Sequence, residues 1–224
     1  FEAARIGCEA FGSDLNPVAG LLTWASLNVL GGGQSVQKEV MRVQAAALQA
    51  ANRQVTEWGI EHNERGERAD AFLYCVEVKP EGCDYFIPLA PSWLVGEKTK
   101  VVCRWRRVPG SDQLQPEIAL VSSDEVKAYK AGKDATVANS RIVDPFDATR
   151  TWSQEALRGP DGLRRWTNED VVPRPGDVFQ ERLYCIRWVK EVIRDGKPKE
   201  VRRYAAPTAA DLTREAKVLE LLNE

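Results

Sequence analysis

The chain has 224 residues and a formal net charge of −2, and 43% of its residues are hydrophobic. This composition is enough for a buried core, and it excludes a protein that binds polyanions through its net charge alone. No apolar run approaches the roughly 20 residues that a membrane-spanning helix needs. The first residues also lack the charged segment followed by an apolar segment that is typical of a signal peptide. We therefore expect a globular, cytoplasmic protein with no membrane association.

The first 33 residues predict a helix, a strand and a second helix. Residues 1–7 have the form of a helix end stopped by Gly7, and residues 8–14 are a short strand candidate. Pro17 suits the first turn of the next helix. The glycines at 31–33 are predicted to end that helix and to form a hinge after it. Because the chain starts within a helix and has no starting methionine, we expect an internal fragment of a longer protein.

A long amphipathic helix is predicted to follow. From Ser35 to about Arg65, apolar residues recur at three- and four-residue spacings. The apolar stripe that they form fits either packing against a core or binding a partner.

Beyond residue 70 the pattern changes to strands and hairpins. A helix is expected near Ser123–Lys130, and residues 143–177, rich in proline and glycine, predict a functional loop or an insert. Asp195-Gly196 predicts a hairpin turn, and Thr208 with Asp211 predicts the cap of a final helix. The predicted strands cover residues 71–78, 84–90, 100–108, 116–122, 181–193 and 200–207.

Five cysteines and one histidine limit the available chemistry. The cysteines are odd in number and contain no C-x-x-C pair, so reduced thiols are expected. His62 lies near a helix end between two polar residues, and we interpret it as a surface residue. Reactions that need a histidine base or several histidine ligands are therefore not expected.

Asp14 stands where the predicted strand ends and Asn16-Pro17 opens a helix. In open α/β sheets, an acid at the end of the second strand accepts hydrogen bonds from both hydroxyls of a nucleoside ribose. The same spacing also suits a helix cap or an ordinary turn, because Asp accepts hydrogen bonds from nearby backbone N–H groups. The spacing alone leaves both interpretations open.

The segment EAARIGCEAFGSDLNPVAGLL resembles the one that follows the Gly-rich loop in S-adenosylmethionine-dependent DNA methyltransferases of the amino group. It is most similar to the large bacterial and archaeal family of adenine-specific DNA methylases with an N-terminal domain of unknown function. DYFIPLAPSWLV and GDVFQERLYCIRWV resemble later stretches of that family, in the same order. The resemblance implies S-adenosylmethionine as cofactor, with Asp14 as the ribose acceptor, Leu15 beside the adenine and Asn16 shaping the turn.

The resemblance also implies an α/β fold in four parts. Residues 1–33 would supply part of a Rossmann-like methyltransferase sheet and residues 34–70 a connecting helix. Residues 71–206 would form a β-rich α+β insert, and residues 207–224 a C-terminal helix that leads back to the core.

The family's catalytic motif is an Asp or Asn followed by Pro-Pro and an aromatic residue, and this chain lacks it. Asp144-Pro145-Phe146 has no second proline and is interpreted as a turn. The fragment alone is expected to be inactive, whereas the whole parent protein would flip adenine out of DNA and methylate its amino group.

Relatives carry paired cysteine knuckles that imply a structural zinc, but this chain keeps only Cys83 of the first knuckle. Zinc needs four ligands. The cysteines of the insert either converge on a metal or, as we expect, are buried apolar thiols: Cys75, Cys83, Cys103 and Cys185. Tryptophans are expected to hold the insert together instead: Trp93, Trp105, Trp152, Trp166 and Trp188.

Alternation along residues 98–106 puts Lys98, Lys100, Arg104 and Arg106 on one face of a predicted strand. We predict that Lys100, Arg104 and Arg106 contact nucleic acid, and the alternative is an exposed, solvated face. The expected partners are double-stranded DNA, the rest of the parent methyltransferase and proteins of a defence complex. The chief alternative function is a non-enzymatic DNA- or protein-binding module of such a complex, and the second is methylation of RNA or protein.

Overall fold

In a computed structural model of the chain, residues 2–153, 157, 173–174 and 176–221 are described. The chain divides into two compact units, which we call the helical unit (residues 1–59) and the β-rich unit (residues 60–224). The division into parts at residues 33, 70 and 206 stays a prediction.

The helical unit begins with α1 (Glu2–Arg5). Gly7 follows in the left-handed conformation with φ 83°, and the Cys8 N–H donates to the Ala3 carbonyl at 2.9 Å. These bonds satisfy carbonyls at the end of the helix, so the predicted glycine stop is confirmed. α2 (Pro17–Ala25) starts with the predicted proline and continues as a π-helix over Ser26–Leu30.

Gly31 and Gly32 separate this helix from α3 (Gly33–Trp58), which confirms the predicted break. A Cβ atom at Gly31 would lie 2.2 Å from the Leu27 carbonyl oxygen, so the turn requires glycine. The prediction that α3 extends to about residue 65 is wrong. Gly59, with φ 68°, ends the helix, because a residue in the left-handed conformation does not continue a right-handed helix.

The strand predicted over residues 8–14 is also wrong, because these residues form no strand. A strand is stabilised by hydrogen bonds to a neighbouring strand, and the structure describes no strand elsewhere in the helical unit. The apolar stripe of α3 is exposed at Val36, Val40, Val43 and Leu48. No described side chain of the helical unit is buried, so core packing and partner binding both stay open as interpretations of the stripe.

The β-rich unit contains ten strands in its described residues, together with α4 (Ser123–Lys130) and α5 (Ala209–Leu221). The strands are β1 Arg68–Val78, β2 Ile87–Leu89, β3 Leu94–Gly96, β4 Val101–Arg106, β5 Gln115–Leu120, β6 Val137–Ala138, β7 Arg141–Val143, β8 Thr151–Ser153, β9 Phe179–Arg194 and β10 Lys197–Ala205.

These strands form three sheets with the orders β10-β9-β1-β2, β3-β4-β5 and β6-β7-β8. Every pair of strands within the described residues is antiparallel. The chain is therefore of mixed α/β character, but the Rossmann-like sheet that the sequence predicted is not shown, since such a sheet is mostly parallel.

Several local predictions are confirmed. α4 has the predicted bounds and begins with a capping box between Ser122 and Glu125. Arg194 pairs with Lys197 across the predicted Asp195-Gly196 turn. At the start of α5 the Thr208 N–H donates to Asp211 Oδ2 at 2.7 Å, and the Asp211 N–H donates back to Thr208 Oγ1 at 3.3 Å.

The core of the β-rich unit is aromatic, as the tryptophan content predicted. Trp93 and Trp105 meet edge to face with ring centroids 5.1 Å apart, and Tyr184 packs against both rings. Trp188 is buried in a separate cluster on the long sheet. Of the predicted loop at 143–177, residues 154–156, 158–172 and 175 lie outside the described residues, and so does Trp166.

Candidate functional site

The Asp14 corner is a turn that leads into α2. Asp14 Oδ1 accepts the Asn16 N–H at 2.8 Å, and Asn16 Oδ1 accepts the Val18 N–H at 3.0 Å. The side chain that caps α2 is therefore that of Asn16, and Asp14 holds the preceding turn. Leu15 between them is fully exposed.

This arrangement leaves the Asp14 carboxylate accessible. Its Oδ2 atom has no hydrogen-bond partner among the described residues, and Asp14 is exposed. A carboxylate anchored through one oxygen can still accept hydrogen bonds from a ligand through the other. Whether Asp14, Leu15 and Asn16 bind a cofactor stays a prediction.

The basic stripe differs from its prediction. Lys98 and Lys100 lie in the turn before β4, and Lys100 has φ 55°, so the strand alternation assumed for these two lysines is wrong. The strand starts only at Val101, because the turn at residues 97–100 must first reverse the chain from β3. Arg104 and Arg106 do lie two residues apart on β4.

Both arginines have partners in the β-rich unit. Arg104 Nη2 donates to Glu125 Oε1 at 3.0 Å, and Arg106 Nη2 donates to Gln115 Oε1 at 2.8 Å. Glu117 stands directly opposite Arg104 on β5. Acidic neighbours thus offset the charge of Arg104. The partner of Arg106 is a neutral amide, which does not offset its charge.

The four cysteines of the β-rich unit are buried, as predicted. Burial raises the pKa of the Cys75 and Cys185 thiols to about 12, so both are protonated near neutral pH. Cys83 packs in one core cluster, and Cys75 and Cys103 pack in another. The described residues contain no group of three or more potential ligands that could hold a metal, so these thiols do not fit a four-ligand zinc site.

An open groove, which the sequence did not predict, lies between α5 and the outer face of β1 and β9. Its volume is about 680 Å³. Phe72 and Tyr74 of β1 and Leu212 and Leu219 of α5 supply apolar surface. The helix stripe was visible in the sequence, but only the packing shows that α5 leaves part of the strand face uncovered.

Acidic side chains lie in the groove beside these apolar groups. Burial, and then the neighbouring Glu215 and Glu181 carboxylates, raise the pKa of the Tyr74 hydroxyl. Glu181 has no ion-pair partner among the described residues. Arg214 also lines the groove, but it pairs with Asp211 and with Glu64. The uncompensated charge of the groove is therefore negative.

In the described part of the chain, no helix has the length and apolarity needed to cross a membrane. Comparisons with protein-family models, with curated proteins and with solved structures give no match to this chain.

Proposed function

We propose that this chain is part of an S-adenosylmethionine-dependent DNA methyltransferase that acts on the amino group of adenine in the cytoplasm. The observation that carries the proposal is the Asp14 turn, in which one carboxylate oxygen is held by the Asn16 N–H and the other is accessible. The resemblance of the surrounding segment to such enzymes supports the same assignment.

In this proposal each residue of the corner has one role. Asp14 accepts hydrogen bonds from the two ribose hydroxyls of the cofactor. Leu15 offers an exposed apolar side chain to the adenine ring, and Asn16 fixes the turn by capping α2. A Rossmann-like sheet around this corner belongs to the proposal for the whole parent protein.

Asp144 takes no part in the proposed chemistry. It is 3% exposed, and it accepts hydrogen bonds from the Tyr85 hydroxyl at 2.7 Å and from the Phe146 N–H at 2.9 Å. A carboxylate committed to these internal donors stabilises the turn at Asp144-Pro145-Phe146. The base-binding motif of the methyltransferase would therefore belong to another part of the parent protein.

The test is a calorimetric titration of S-adenosylmethionine into the whole protein that carries this chain. Asp14→Ala removes a charged hydrogen-bond acceptor, which we expect to weaken binding by about 2 kcal/mol, or roughly 30-fold in Kd. Glu9→Ala is the matched control, because it removes another exposed carboxylate from the same loop. Equal binding by the Asp14 and Glu9 variants would reduce Asp14 to a turn residue.

A second candidate function, a protein-binding module of a multi-protein defence complex, is favoured by the groove beside α5. An apolar groove with uncompensated carboxylates suits a basic amphipathic helix. A model peptide of that kind should bind the chain, and Leu219→Asp should weaken its binding at least tenfold. Absence of peptide binding to the unaltered chain would remove this candidate.

A further inference from the structure

The hairpin of β9 and β10 extends beyond the rest of its sheet. β1 pairs with β9 only as far as Arg68 opposite Val189. The remaining residues of β9, 190–194, pair with residues 197–201 of β10 and with no other described strand. We call residues 190–201 the ribbon. At about 3.4 Å per residue, each of its two strands is about 17 Å long.

The register of the ribbon separates its charges. Arg194 lies opposite Lys197, Val192 lies opposite Lys199, and Lys190 lies opposite Val201. Directly opposite residues of an antiparallel pair share a face, and so do residues two apart on one strand. One face therefore carries four cations and no acid: Lys190, Arg194, Lys197 and Lys199.

The other face of the ribbon has a different character. Glu191 lies opposite Glu200, and Ile193 lies opposite Pro198. Arg202, two residues from Glu200 on the same face, donates to Glu200 Oε2 at 3.1 Å. The ribbon thus presents a basic face and a face that contains acidic and apolar side chains.

Within the described residues, the cations at the end of the basic face have no counterion. Lys190 Nζ donates to the Arg65 carbonyl oxygen at 3.0 Å. Arg194, Lys197 and Lys199 are exposed and have no ion pair or hydrogen-bond partner among the described residues. Like charges directly opposite one another destabilise a strand pair, so an anionic ligand would relieve the repulsion between Arg194 and Lys197.

We propose that the basic face of the ribbon binds the phosphate groups of double-stranded DNA. A two-stranded ribbon fits the major groove of B-form DNA, which is about 12 Å wide, whereas the major groove of A-form RNA is too narrow. The acidic face orients the ribbon, because Glu191 and Glu200 repel phosphates. This inference deepens the proposed function and rests on it for the choice of DNA as partner.

The test measures the binding of the full chain to a fluorescent DNA duplex of about 20 base pairs by anisotropy at several salt concentrations. Lys199→Gln and Arg202→Gln each remove one cation from β10, on opposite faces. We expect Lys199→Gln to weaken binding about three- to tenfold and Arg202→Gln to change it less than twofold. The slope of log K against log salt is negative, and each lost phosphate contact reduces its magnitude by about 0.9. Lys197→Gln/Lys199→Gln should therefore reduce the magnitude by about 1.8.

Unchanged affinity and salt slope in the double variant would overturn the inference, and so would equal losses for Lys199→Gln and Arg202→Gln. Binding of an RNA duplex as tightly as the DNA duplex would overturn the assignment to a DNA groove. The proposed function is tested separately by cofactor titration of the Asp14 variant. If Asp14→Ala binds the cofactor normally while the ribbon variants lose DNA, the cofactor assignment fails and the ribbon assignment stands.

Discussion

Glu67, the residue just before β1, forms a two-point ion pair with Arg203 of β10. Arg203 Nε lies 3.1 Å from Glu67 Oε1, and Arg203 Nη2 lies 2.5 Å from Glu67 Oε2. Asn63 Nδ2 also donates to Glu67 Oε2, at 2.8 Å. The hydrogen bonds from Arg203 are the main cause that lowers the pKa of Glu67 to about 2.

Replacing Glu67 should therefore destabilise the β-rich unit near neutral pH. We expect Glu67→Gln to lower the free energy of unfolding by about 1 to 2 kcal/mol at pH 7, after allowance for solvent around the partly exposed Arg203. Because the pKa is lowered on folding, this contribution is complete above about pH 4.5 and is lost as the pH falls toward 2. Urea unfolding at pH 7 and at pH 3 measures the difference between variant and wild type.

Glu39→Gln is the control for this experiment. It removes an exposed carboxylate that pairs with Arg42 on the surface of α3, and its unfolding midpoint should match that of the wild type. A Glu67→Gln difference that stayed constant between pH 7 and pH 3 would contradict the assigned ion pair.

Glu77 should show the opposite dependence on pH. It is buried on β1, and burial raises its pKa although Arg182 and Gln113 contact the carboxylate. The native state therefore binds this proton more tightly than the unfolded state does. The stability of the wild type relative to Glu77→Gln should fall as the pH rises through the raised pKa.

Thermal unfolding of wild type and Glu77→Gln from pH 4 to pH 8 measures this effect. Subtracting the two curves removes the contribution of every other titrating group. A difference that grows in favour of the wild type with rising pH would show that Arg182 outweighs the cost of burying the charge.

Tyr85 should stabilise the turn at Asp144 through its hydroxyl. The hydroxyl lies 2.7 and 2.8 Å from the two oxygens of the buried Asp144 carboxylate. Tyr85→Phe leaves that carboxylate short of one donor, so we expect a loss of about 1 to 3 kcal/mol in the free energy of unfolding. Tyr184→Phe is the control, and a loss of equal size there would contradict the role of the Tyr85 hydroxyl.

Thiol labelling at pH 8 should distinguish Cys8 from the other cysteines. Cys8 is exposed, whereas the remaining four of the five are buried. A thiol with a pKa of about 12, as for Cys75, has roughly one thiolate in 10,000 molecules at pH 8. We expect one thiol to react rapidly in the native protein, five to react in urea, and Cys8→Ser to abolish the rapid reaction. Any thiol that still reacts rapidly in Cys8→Ser would contradict the assigned burial of the other four cysteines.

Local signals in the sequence predicted local structure well. The Ser122 capping box, the Asp195-Gly196 turn and the Thr208 cap each depend on residues within a few positions of one another. The end of α3 was missed because the apolar spacing runs without a break up to Trp58, and the prediction extended the helix through Gly59 into polar residues.

Features that depend on distant residues could not be predicted in this way. Leu73 lies opposite Cys185 in the sheet, and no local pattern specifies that pairing. The basic face of the ribbon follows from the register of β9 and β10 and from the point where β1 stops. The Asp14 turn was located in the sequence, but the separate roles of Asp14 and Asn16 required the hydrogen bonds.

The carboxylate of Glu125 joins two elements that are distant in the chain. Its Oε2 accepts the Ser122 N–H in the cap of α4, and its Oε1 accepts Arg104 of β4. Substitutions at Arg104 and Ser122 should therefore be energetically non-additive, since each changes the position of the same acceptor. Reversing the charge of Arg104 would also place two carboxylates together at the helix cap, which would destabilise the fold. The neutral substitution Arg104→Gln is therefore the better test of whether Arg104 contacts nucleic acid.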